Sequence, residues 1–274
     1  NELATQSANG TNSNTDRKAI QDEIDQLTTE IDRVSETTKF NETYLLKGDG
    51  AEKAHNVNAH DAGLDGVTLT DKGDTVDVTL KTLNAGDKIS IAGKNYTIGA
   101  TTADAQKIVD AQKVDGKTVT VNGTTYTYKT NQWTNADGSA ATVGGGAAGS
   151  ITIKGGDVVS DGTKTLTAMK DGANAAGADG IDDNDSTVIT AGKAYQLQTA
   201  EIVKASSIGT DTAAAVKNGA NADKDATATF TLNKGTVSYK DALSFNLHVG
   251  ADADMTNKIT VNIDSMNSAG LGVK

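Results

Sequence analysis

The side chains capable of catalysis or metal binding are three histidines, a large supply of aspartates and many serines and threonines. His55 and His60, with Asp61 and Asp65 close by, could suggest a metal site. Zinc-binding histidines on a helix stand three or four residues apart, so that both reach one ion from one face. Here the separation is five, in a stretch rich in Gly and Asn, and solvated loop histidines are the better reading. Asp179, Asp182, Asp183 and Asp185 offer the hard oxygen ligands that Ca²⁺ prefers. The run Asp183-Asn184-Asp185-Ser186-Thr187 lacks the glycine at position six and the distal glutamate of an EF-hand, so a plain loop is favoured over calcium. Without Cys there is no thiolate site and no cysteine nucleophile. No Ser/His/Asp arrangement stands out, and in so acidic a chain a carboxylate pair looks like ordinary surface charge. Trp133, the sole tryptophan, is expected to pack over a hairpin edge rather than stack on a sugar. We therefore assign no catalytic residue, no metal ligand and no cofactor.

The elements that must position any function fall into two kinds. Residues 15–38 read as a helix. Its apolar positions Ile20, Ile24, Leu27, Ile31 and Val34 are spaced 4, 3, 4, 3, the period of a coiled-coil seam. Asp22, Glu23, Asp25, Gln26, Glu30, Asp32 and Arg33 fill the gaps as a solvated face. Asn14 or Thr15 can cap the start, with Asp16 facing the positive end of the helix dipole. One stripe cannot bury itself, and residues 39–274 offer no comparable helix. The expected partner lies outside this chain or in a part that has been removed. Residues 1–8 look like the tail of another helix stopped at Asn9-Gly10, and a start without Met suggests a trimmed fragment.

From about residue 50 the period becomes two. Val76, Val78 and Leu80 alternate, as do Ile89 and Ile91, Val119 and Val121, and Tyr126 and Tyr128. Asn122-Gly123 between two such runs is a hairpin signal, because both central turn residues must take positive φ. Helical patches are read at 103–112 and 200–206. Residues 135–149 and 170–187 read as Gly- and Asp-rich loops, and strands return at 227–232, 244–249 and 258–263. Leu, Ile, Val and Phe make up only 51 of 274 residues, which suits thin β layers rather than a thick core. The net charge of −11 argues against nucleic acid, which needs a basic face. No run approaches the roughly 20 apolar residues that span a bilayer, and no charged-then-apolar signal peptide opens the chain.

The stretch Glu2-Leu3-Ala4-Thr5-Gln6-Ser7-Ala8-Asn9-Gly10-Thr11-Asn12 resembles bacterial flagellin. So do Asp16-Arg17, Glu23-Ile24-Asp25-Gln26-Leu27, Glu30-Ile31-Asp32-Arg33-Val34, Thr37-Thr38-Lys39-Phe40-Asn41 and Tyr44-Leu45-Leu46-Lys47-Gly48, with the family's internal spacings kept. Near the other end, Phe245 to Ala251, Ile259 to Met266 and Ala269 to Val273 resemble the family's return segment.

The resemblance implies an α+β fold: a helical, coiled-coil-like rod segment with β-hairpins, plus β-rich outer domains inserted in it. We expect residues 1–50 and 240–274 in a discontinuous rod domain, 51–100 with 190–239 in an inner β-rich subdomain, and 101–189 in a nested tip. The implied function is structural, not enzymatic. A subunit of the extracellular flagellar filament would assemble with other flagellin subunits through the seam Ile20, Ile24, Leu27, Ile31 and Val34. Further implied partners are an export chaperone of the flagellar apparatus and Toll-like receptor 5, through Glu2, Leu3 and Gln6. The plainer role for those three is packing of rod helices. Lack of Cys and Pro suits a chain exported unfolded, free of disulfides and slow prolyl isomerisation. Relative to the family, the terminal filament-core helices and the arginine-containing turn before Glu2 are missing. Some flagellins carry a metallopeptidase insert with His-Glu-x-x-His, but here no His precedes Glu. The competing reading is a secreted adhesin-type β module that binds glycan or calcium.

Overall fold

The computed structural model describes Leu3 and residues 14–172, 178–249 and 258–273. The fold is α+β. Residues 14–273 contain the α-helices α1 (Asn14–Thr37), α2 (Thr102–Ala111) and α3 (Ala191–Ser206), a 3-10 turn at Lys217–Gly219 and many short strands. The chain divides into two compact units.

The first unit comprises Asn1–Asn58, Ser206–Ala214 and Lys234–Lys274. It contains α1, which ends where Thr37 and Thr38 hydroxyls donate to the carbonyls of Arg33 and Val34, at 2.7 and 2.6 Å. Such back-bonding competes with the helical ladder and suits a terminus. A short hairpin follows, Lys39–Phe40 with Thr43–Tyr44, turned by Asn41 and Glu42 at φ 47° and 68°. The strand Glu52–Asn56 then pairs antiparallel with Thr236–Lys240, Glu52 opposite Lys240. Its sequence has little apolar alternation, so side-chain pattern does not mark it as a strand. The hairpin Leu243–His248 with Lys258–Ile263 sets Leu243 opposite Ile263, Phe245 opposite Val261 and Leu247 opposite Ile259. Residues two apart share a face, so these six form one apolar row.

The second unit comprises Ala59–Ala205 and Ala215–Asn233. A four-stranded antiparallel sheet runs in the order Ala215–Val216, Thr229–Asn233, Thr75–Thr79, Thr68–Asp71. Val76, Val78 and Leu232 are almost fully buried in it. A three-stranded sheet joins Val188–Ile189 in parallel to Lys94–Ile98, which pairs antiparallel with Lys88–Ile91. A five-stranded sheet runs Gln132–Thr134, Thr124–Lys129, Thr118–Val121, Val158–Ser160, Thr165–Thr167. Its Asn122-Gly123 turn has φ of 51° and 82°, the left-handed pair that a two-residue hairpin demands. Ala105, Ile108 and Val109 of α2 pack on Val119, Val121, Trp133 and Val159 in one cluster. Trp133 is 1% exposed and meets Tyr128 edge-on at 5.1 Å, so it is a core residue rather than a cover over a hairpin edge.

Two elements differ from expectation. Helix α3 begins at Ala191, well before residue 200. The Thr190 hydroxyl accepts the Lys193 N–H at 3.1 Å and caps its start. Gly192, which weakens a helix by propensity, is where a Cβ would collide with the Lys224 carbonyl oxygen. Tertiary approach therefore explains a residue that sequence alone reads as a breaker. The loop at 135–149 contains the strand Thr142–Val143, parallel to Ser150–Ile151, and Ala141 beside it is fully buried.

Candidate assembly site

Helix α1 carries the five seam positions. Ile20, Ile24 and Ile31 are half-buried, whereas Leu27 and Val34 are 50% and 42% exposed. Their common spacing keeps all five on one face of α1. Exposed apolar side chains also stand elsewhere in this unit: Phe40, Leu247, Ile259 and Met266.

The C-terminal half of α1 is held by residues from the far end of the chain. Asp32 accepts hydrogen bonds from the Ser268 backbone N–H at 2.7 Å and from its hydroxyl at 2.8 Å. Ser268 is 1% exposed. The Met266 N–H donates to the Leu46 carbonyl at 2.7 Å, and the buried Ser35 hydroxyl donates to the same carbonyl at 3.2 Å. Asp32 was expected on a solvated face. Its role is absent from the helical period because its partner lies 236 residues away.

The crossing of the two ends continues at Gly48. Its φ is +72°, and a Cβ there would collide with the Asp241 carbonyl oxygen. The Gly50 N–H donates to that oxygen at 3.4 Å, and the Asp241 N–H donates to Ala51 at 3.1 Å. Lys53 pairs with Asp241 at 2.6 Å. The Lys53 ammonium, through its hydrogen bond, holds the Asp241 carboxyl below its ordinary range, and Asp241 raises Lys53 in turn. Nearby, Lys39 and Lys47 ammonium groups lie 4.2 and 4.4 Å from the Tyr44 ring centre. A hydrogen bond with Lys39 lowers the Tyr44 hydroxyl below the usual phenol range.

The remaining sequence candidates behave differently. Glu2 and Gln6 lie outside the described residues, and Leu3 is helical and half-buried. His55 is a strand residue, not a loop one, with its ring 5.5 Å from that of Tyr239. His60 is exposed. Among the described residues, no group of three or more His, Asp or Glu side chains is arranged to hold a metal ion. The aspartates of 179–185 brace their own loop. Asp182 accepts backbone N–H groups of Asn184, Asp185 and Lys170, at 2.9, 3.1 and 2.8 Å. Asp185 accepts the Thr187 hydroxyl and N–H, at 2.6 and 2.9 Å, and these bonds hold its carboxyl below the ordinary value. A cleft of about 680 Å³ in the second unit is lined by Asp104, Lys107, Lys224 and Asp225 among others. Its charges are largely matched internally, Lys107 with Asp104 at 3.0 Å and Lys224 with Asp225 at 2.8 Å.

Residues 1–51 match the family described as the bacterial flagellin N-terminal helical region. The chain is 36% identical over 177 residues to a flagellin of Salmonella muenchen, covering 64% of this chain and 29% of that protein. It is 43% identical over 99 residues to a flagellin of Clostridium tyrobutyricum, covering 36% of this chain and 22% of the relative. A flagellin of Serratia marcescens is 34% identical over 144 residues, covering 51% and 38%. The chain thus spans well under half the length of these curated relatives. The matches bear out the resemblance to bacterial flagellin.

Proposed function

Taking that flagellin resemblance as premise, we propose that the chain is the part of a flagellar filament subunit that carries rod-domain sequence and a variable surface region. The observation that carries this reading is the return of the chain. Asp32 binds Ser268, and Glu52–Asn56 pairs with Thr236–Lys240, so most of the intervening sequence is an insertion between two meeting ends. Assembly is then a packing reaction rather than catalysis. The seam Ile20, Ile24, Leu27, Ile31 and Val34 is the coiled-coil-like surface that a rod helix covers, and each fully buried Leu or Ile contributes about 1.5–3 kcal/mol. The half-exposed state of Leu27 and Val34 supports this, since both have area left to bury. The partners are other flagellin subunits, an export chaperone and, through Glu2, Leu3 and Gln6, Toll-like receptor 5. The location is the extracellular filament.

Within the variable part we propose an inner subdomain from 51–100 and 190–239 and a tip from 101–189. Support for a tip comes from its own core: the cluster from Ala105 to Ala168 draws only on that stretch.

The test places this chain between the terminal segments of the Salmonella relative, in cells lacking flagellin, with and without Leu27→Asp. Filaments are expected from the parent chimera and none, or only short ones, from the variant. Circular dichroism should show the variant's helix intact, because Leu27 is already half in solvent. Normal filaments from Leu27→Asp would refute the seam.

A further inference from the structure

Two Asn-Gly pairs among the described residues adopt the same backbone shape in different surroundings. Asn122 and Gly123 have φ of 51° and 82°, and Asn218 and Gly219 have 57° and 65°. At the first, both ends of the side-chain amide are tied. Asn122 Nδ2 donates to Asp157 Oδ1 at 2.8 Å, and its Oδ1 accepts the Val158 N–H at 2.9 Å. The turn itself joins two paired strands of a five-stranded sheet. Both asparagines are exposed, and a Cβ on either glycine would meet nothing within 4 Å, so the contrast lies in the side-chain tethers. At the second, Lys217–Gly219 make one 3-10 turn, and the Ala220 N–H donates to the Lys217 carbonyl at 3.3 Å at its end. The strand before it, Ala215–Val216, is only 2 residues long and lies at a sheet edge. Short edge elements with exposed hydrogen bonds open first.

From this contrast we infer that Asn218 is a site of spontaneous deamidation and that Asn122, the same dipeptide, is protected by its tethers. The reaction needs the Gly219 backbone nitrogen to reach Asn218 Cγ, which requires rotation about the Asn218 backbone and side chain. The nitrogen–Cγ bond forms, the Cγ–Nδ2 bond breaks, and ammonia leaves with the proton from the Gly219 nitrogen. Water then opens the five-membered imide at either carbonyl. One opening gives aspartate, and the other gives isoaspartate with an extra methylene in the main chain. Glycine favours the step because its nitrogen is unshielded by a neighbouring Cβ. Each event adds a negative charge to an exposed turn of the second unit. At Asn122 the same step must first break both side-chain hydrogen bonds, and its product would set a new carboxylate against Asp157. The inference is independent of the filament reading, since it rests on local geometry alone.

The experiment ages the purified chain in mildly alkaline buffer and maps peptides by mass spectrometry, with enzymatic isoaspartate labelling. Each Asn-Gly position is scored separately, including Asn9-Gly10. Conversion at Asn218 is expected to be about tenfold faster than at Asn122, or more, because two hydrogen bonds guard the latter. In concentrated denaturant the two rates should converge, since the dipeptides are the same. Asp157→Ala should accelerate Asn122 in the native chain. An Asn218 rate equal to or below that of Asn122 would overturn the inference. So would a rate difference that persists undiminished in denaturant, because sequence rather than structure would then set it.

Discussion

Replacing Asp32 with Ala removes the acceptor of two hydrogen bonds, 2.7 and 2.8 Å long, from a residue 236 positions away. Hydrogen bonds to a charged group contribute about 1.5–3 kcal/mol each when buried. Asp32 is half-buried, which takes both toward the low end, while the Ser268 side left unpaired is buried. The expected cost is about 3 kcal/mol of local stability. Ser268→Ala removes only the hydroxyl, leaves the backbone bond to Asp32, and should cost about 1 kcal/mol. The double variant should cost little more than Asp32→Ala alone, giving a coupling of about 1 kcal/mol. Urea titration followed by far-ultraviolet circular dichroism, with hydrogen exchange at Met266 and Ser268, reads the effect. Tryptophan fluorescence is not suitable, because Trp133 lies in the other unit and the two need not unfold together. With a urea slope of about 1–3 kcal/mol per molar, the midpoint should fall by roughly 1–3 M. Unchanged exchange at residues 266 and 268 in Asp32→Ala would show that the two ends are not joined here.

Gly48→Ala should destabilise the first unit by about 2 kcal/mol or more, because a left-handed φ and a collision with the Asp241 carbonyl act together. Thermal melts read this, and a variant as stable as the parent would contradict the close approach of residues 48 and 241. For pH, Asp110, Asp161, Asp185 and Asp241 have carboxyls held below the ordinary aspartate value of 3.8 by hydrogen bonds. At Asp104 burial works the other way, but bonds from Lys107 and Thr101 outweigh it. A lowered folded-state pKa gives stability that is complete above 3.8 and lost as pH falls through the depressed values. Lys53 and Lys224 are raised, so their contribution is complete below 10.5 and lost as pH rises through the raised values. Calorimetry should find a broad plateau bounded by losses at both extremes; melting temperatures that climb below pH 3.8 would contradict the acid limb.

Elements whose signals are local can be read from the residues alone. The seam period marks α1, because a helix repeats its face within a few residues. Asn122-Gly123 marks a hairpin, because only those types take two consecutive left-handed φ values cheaply. Thr101 and Asp104 form a capping box at α2, a local Thr-x-x-Asp signal of the same kind. Joins at long range emerge with folding. The pairing of Glu52–Asn56 with Thr236–Lys240 is made by backbone groups that every residue has, so side-chain pattern scarcely encodes it. Asp32 meeting Ser268, and Gly192 admitting the Lys224 carbonyl, depend on distances that exist only after folding. Local periodicity can say that a face is apolar or a turn is tight. Which distant segment approaches that face is settled by packing of the whole chain, where the relevant separations are hundreds of residues long in sequence and a few ångströms in space.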